Sequence, residues 1–161
     1  MALVLALLAP AGCGRGRPAQ QGLRFEELSR DTAGLARGRP LLGALEPYRM
    51  KNGVLRVRGT MDLPDGARMQ LSIYRTGSNE MVSCVQFTVA NHRFDSPPII
   101  GPQGPLPAAD YRFEVLVHFD STWQPENVMR ATHDGLALRG PGITRSRSGA
   151  AAFFHTEERH L

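Results

Sequence analysis

Two cysteines, five histidines and one tryptophan are the chemically most versatile side chains of this 161-residue sequence. His92, His118, His133, His155 and His160 are scattered, and none stands in an HExxH motif or an i,i+4 pair able to grip one metal ion. With only Cys13 and Cys84 beside them, no zinc-ligand spacing arises. Ser121, His133 and Asp134 could be written as a hydrolytic set, but no GxSxG elbow presents the serine. Asp62 and Asp65-Gly66 raise calcium. The run MDLPDGARMQLS, however, lacks the alternating oxygen ligands and final glutamate of an EF-hand loop, so a plain turn is the simpler reading. Gly101-Pro102-Gln103-Gly104 places proline where a phosphate loop needs backbone donors. From the residues alone we expect no enzyme, no catalytic residue, no metal and no cofactor.

Recognition chemistry is better represented. Trp123 follows the strongest strand pattern and could dock a sugar or a protein partner, or simply close one end of the core. Arg139, Arg145 and Arg147 form the densest basic patch, in a Gly/Ser-rich loop. Basic side chains outnumber acidic ones by 19 to 15, which raises nucleic acid as a partner. Residues 14–40 hold six of these arginines against three acids, whereas after Pro40 the count is 13 basic to 12 acidic. Counterion release needs a clustered basic face. The sequence offers none in the domain, so no nucleic-acid partner is expected. Cys84, inside the apolar run MVSCVQFTV, reads as an inert, buried thiol.

Strands must position these residues. Asn52-Gly53 lies between two strand-like runs and predicts a hairpin turn. Leu55 and Val57 alternate with Arg56 and Arg58, and Pro64-Asp65-Gly66 makes the next turn. Met69, Leu71 and Ile73 share one face of a strand, and Val85, Phe87 and Val89 share one face of another. Phe94 opens a short extended piece that Pro97-Pro98 ends. Tyr111, Phe113, Val115, Val117 and Phe119 alternate through the clearest strand, which turns His118 to the opposite face with Arg112 and Glu114. Weaker strands are predicted at Leu136–Arg139 and Ala150–Thr156. About seven or eight short strands with little helix predict an all-β domain over residues 41–161. It is read as an antiparallel β-sandwich, with a small closed barrel as the competing architecture.

The N-terminus carries an address. Residues 1–12 are uncharged, mostly apolar and too short to span a membrane. Ala11, Gly12 and Cys13 resemble the end of a bacterial lipoprotein signal, with Pro10 where a Leu-like residue is usual. That resemblance implies lipidation at Cys13, which would become the mature N-terminus; an ordinary cleaved secretion signal is the alternative. Residues 13–40 then read as a tether whose Leu23–Ala36 stretch could form a short amphipathic helix.

A second resemblance lies in the domain. Gly59 to Tyr74, GTMDLPDGARMQLSIY, is similar to the second-strand region of small immunoglobulin-like domains in bacterial envelope lipoproteins. Ala109-Asp110-Tyr111, Trp123 to Val128 and Gly135-x-x-Leu138-x-Gly140 fit the same outline. The resemblance implies an immunoglobulin-like fold and a place in the bacterial cell envelope, and carries over no catalytic residue. We therefore expect a non-catalytic envelope lipoprotein that acts as a protein-interaction or structural module. It would be held to the membrane through Cys13 and face an envelope protein or a glycan. A carbohydrate- or ligand-binding accessory module and a small secreted hydrolase are the alternatives.

Overall fold

Alternation along the chain decides most of the architecture. The structure, a computed structural model, describes residues 38–146 and 148–161. Cys13, the expected signal and nearly all of the expected tether lie outside the described residues, as does Arg147. The strands are β1 (Leu42–Arg49), β2 (Leu55–Met61), β3 (Arg68–Arg75), β4 (Met81–Thr88), β5 (Arg93–Asp95), β6 (Asp110–Phe119), β7 (Ile143–Arg145) and β8 (Ala151–His160). One helix, α1 (Glu126–Thr132), lies between β6 and β7. Strands pair antiparallel into two separate sheets, ordered β1-β2-β5 and β4-β3-β6-β8-β7, so the barrel alternative falls.

Strand β6 is the axis of the larger sheet. Its five predicted core residues, Tyr111, Phe113, Val115, Val117 and Phe119, are all buried. Burying each large apolar side chain stabilises by about 1.5–3 kcal/mol. A one-residue slip would exchange that set for Arg112, Glu114 and His118, which pins the register. Met69, Leu71 and Ile73 on β3 and Leu55 and Val57 on β2 meet them between the sheets, fully buried. The predicted hairpin forms, with Gly53 at φ +79° and Arg49 opposite Leu55.

Two expectations change. Leu136–Arg139 is a turn, not a strand. His133, Asp134 and Gly135 all take positive φ, which ends α1 and turns the chain back before a strand can start. The helix itself was not anticipated: its seven residues are too few for a helical period to show. Pro125 opens it, and Val128, Met129 and Thr132 are buried.

The registers define two poles. Phe119 lies opposite Ala151, which lies opposite Arg145, so the β6–β8 crossover sits at one end of the sheet. The chain enters at that end: the Asp62 N–H donates to the Leu41 carbonyl at 2.7 Å, and a Cβ on Gly38 would lie 2.8 Å from the Arg139 carbonyl oxygen. We term this the near pole. At the far pole lie the β1–β2 turn, the loop before β6 and the C-terminal Leu161, whose N–H donates to the Ala109 carbonyl at 3.0 Å.

Candidate functional site

Of the residues singled out for recognition, Trp123, Arg139 and Arg145 sit at the near pole but do not converge. Asp120 shapes the turn that places Trp123: its Oδ1 accepts from the Thr122 and Trp123 N–H groups, each at 3.0 Å. The indole is half-buried and meets the His118 ring edge-on, centroids 5.4 Å apart. Alternation turns His118 away from the core face with Arg112 and Glu114. It is on the predicted outer face but covered, and burial pushes its pKa below the ordinary value while Asp120 pulls the other way. Next to Trp123, Gln124 is buried between β3 and β6. Its amide accepts from the Arg68 N–H at 2.9 Å and donates to the Arg68 and His118 carbonyls at 2.8 and 2.9 Å. The side chain thus replaces one rung of the ladder where the two strands separate.

Arg139 and Arg145 act on the loop after α1. Arg145 Nη2 donates to the carbonyls of Gly135, Leu136 and Leu138 at 3.0–3.3 Å. Arg139 Nη1 donates to the carbonyls of Leu136 and Leu138 at 2.5 and 2.7 Å. Two cations therefore share two carbonyls. Burial, then the Arg139 charge, lowers the Arg145 pKa. The Nη1 atom of Arg145 is buried without a hydrogen-bond partner. Alternation puts Arg145 on the core side of β7 with Ile143, whereas Trp123 covers the outer-face His118. The arginines and the indole thus serve different faces. Asp65, considered for calcium, instead accepts the Asn91 N–H at 2.7 Å.

The outer face of the small sheet carries a wide, shallow groove with Glu46, Arg58, Arg93 and Asp95 in its lining. Much of its charge is internally paired: Arg58 bonds Glu46 at 3.1 Å and lies over Tyr48, and Asp95 takes both Arg56 and the Tyr48 hydroxyl.

The far pole is different. Four large apolar side chains are exposed among the described residues, Met50, Met81, Ile100 and Leu136, and the first three belong to this end. Beside Met81 and Ile100 opens a cleft of about 240 Å³ between the start of β4 and residues 101–107, with Arg75, Glu80 and Tyr111 in its walls. The loop is pre-shaped. Gly101 and Gly104 exchange backbone hydrogen bonds at 2.8 and 3.1 Å, Leu106 is buried beneath it, and the Ser83 hydroxyl donates to the Ile100 carbonyl at 3.2 Å. Arg49 ties it to the neighbouring turn by donating to the Leu106 carbonyl at 2.9 Å. Sequence reading missed this site. Its available signal was apolar residues out of phase with the strands: Met81 at the start of β4, and Ile100 directly after the buried Ile99.

No family model, curated protein or solved structure matches this chain.

Proposed function

We propose that this chain is an envelope lipoprotein, lipidated at Cys13, whose immunoglobulin-like domain is a non-catalytic module that offers its far pole to a protein partner. Two features support the immunoglobulin-like assignment. The first, second and fifth strands share one sheet, and the third, sixth and eighth share the other with β4 beside the third. This matches the order A-B-E against C-F-G with an added C′ strand; β7 and α1 are then additions between F and G. Tyr111, at the start of the F-like β6, is 1% exposed and donates its hydroxyl to the Pro107 carbonyl at 3.1 Å. Such a tyrosine corner is a hallmark of this fold.

The interaction reading rests on one observation: three of the four exposed large apolar side chains among the described residues lie at the pole opposite the point where the chain enters. Methionine adapts its shape to a partner, and a proline-rich loop loses little entropy on docking. A photo-crosslinking residue at Ile100 in intact cells is expected to give one discrete protein adduct, abolished by Met81→Glu; the same probe at Arg93 gives none. Adducts of equal yield from both positions would refute a far-pole site. Fatty-acid labelling tests the anchor: label on the wild type and none on Cys13→Ala is expected. The glycan-binding alternative would gain if Trp123→Ala abolished binding to cell-wall glycan with stability unchanged.

A further inference from the structure

We infer that the corner formed by Arg39, Leu136 and Arg139 is a membrane-docking face, with anionic phospholipid headgroups on the arginines and Leu136 seated among them. The inference deepens the lipid-anchor reading and rests on it for orientation. Gly38, the first described residue after the expected tether, lies against the Arg139 backbone, so this corner is where an anchored chain would join the domain. Leu136 is 52% exposed, and it alone of the four exposed large apolar side chains belongs to the near pole.

The charge around it is one-sided. Asp134 is the sole carboxylate within residues 133–146, and none of Arg39, Arg139 and Arg145 forms an ion pair among the described residues. The two guanidinium groups at the loop answer only to neutral carbonyls. A headgroup phosphate would supply the missing counter-charge. Arg139 spends only Nη1 on the loop, which leaves Nε and Nη2 to donate outward. The Arg145 clamp on the Gly135, Leu136 and Leu138 carbonyls holds the tip in one shape, so docking requires little ordering. A protein partner at the same corner would find a single exposed large apolar side chain, Leu136. A bilayer needs neither shape nor depth from the surface it receives, only an apolar tip ringed by cations.

The test uses the full chain carrying Cys13→Ser, which takes no lipid, and co-sedimentation at low salt. Vesicles of phosphatidylcholine mixed with phosphatidylglycerol are compared with vesicles of phosphatidylcholine alone. We expect binding to the mixed vesicles only. Arg139→Ala should weaken it about fivefold, and Leu136→Ser roughly tenfold. Leu136→Ser should leave thermal unfolding unchanged because that side chain is exposed. Arg139→Ala gives up two hydrogen bonds to loop carbonyls and should lower the unfolding midpoint slightly, so it is assayed where it is fully folded. Ile100→Ser at the far pole, with the basic tether intact, should bind like the parent. Equal binding to neutral vesicles, unchanged partition in both near-pole variants, or an equal loss in Ile100→Ser would overturn the inference. These outcomes are independent of fatty-acid labelling, so failure of the anchor and failure of the docking face are told apart.

Discussion

The two poles end their sheets with side chains on loop carbonyls, but they differ in what they leave exposed. At the near pole, side chains hold the backbone. Gln124 bridges β3 and β6, Thr132 accepts the Gly135 N–H, and two arginines gather the carbonyls of residues 135–138. At the far pole Arg49, Ser83 and Tyr111 also bind loop carbonyls, but the turns there leave large apolar side chains exposed to solvent. Atoms that secure the fold are not available to a partner, and side chains that secure nothing can be retained for recognition. The near pole commits Gln124, Thr132 and Arg145 to the fold and leaves Leu136 and the outer edge of Arg139 exposed. The far pole leaves Met50, Met81 and Ile100 exposed.

Substitutions can break that comparison. The largest loss is expected from Gln124→Ala, which strands three backbone groups in a buried gap and should cost about 3 kcal/mol. Gly135→Ala should match it at about 3 kcal/mol, because φ is +76° and the new Cβ would meet the Phe119 and Ala151 Cβ atoms at 2.7 and 2.8 Å. The far-pole counterpart is Gly53→Ala, also at positive φ but with nothing within 4 Å; about 1 kcal/mol is expected. Urea unfolding of the three variants checks the contrast, and equal losses at Gly135 and Gly53 would erase it.

Tyr111→Phe sharpens the picture from the buried side of the far pole. Losing the hydroxyl bond to Pro107 should cost about 1 kcal/mol. The cleft loop should also loosen, seen as faster amide exchange at Leu106.

Stability should also respond to pH through His118. Its folded pKa lies below the ordinary 6.5, so the unfolded chain takes up a proton that the folded chain resists. Nothing is lost above pH 6.5. Stability falls as pH drops through that value and levels off below the lowered folded pKa. His118→Phe, which keeps a ring against Trp123, should flatten the slope in acid titrations monitored by unfolding. An unchanged slope would assign it to other groups.

The smallest effect is expected at the far-pole surface. Met81→Ser with Ile100→Ser should change stability by less than about 0.5 kcal/mol, since both are exposed. A larger loss would mean that these side chains support the fold and would blur the two poles.

Strands were legible wherever one residue in two is apolar over a long enough run. Tyr111 to Phe119, Met69 to Ile73 and Leu55-Val57 carry their own facing, because the pleat alternates and water selects one face for burial. Asn52-Gly53 and Pro64-Asp65-Gly66 were legible as turns for a local reason: each residue's own allowed backbone angles. Residues 120–146 were not. The helix there is too short to show a period, and Leu136–Arg139 looks like a strand until Arg139 and Arg145 claim its carbonyls. Trp123 and the arginines could be named as chemically apt. Only the tertiary structure decided that the indole covers His118 and that the guanidinium groups bind backbone. Which pole holds exposed apolar side chains, and which receives the chain, follows from pairing between residues far apart in sequence. No local pattern encodes that pairing.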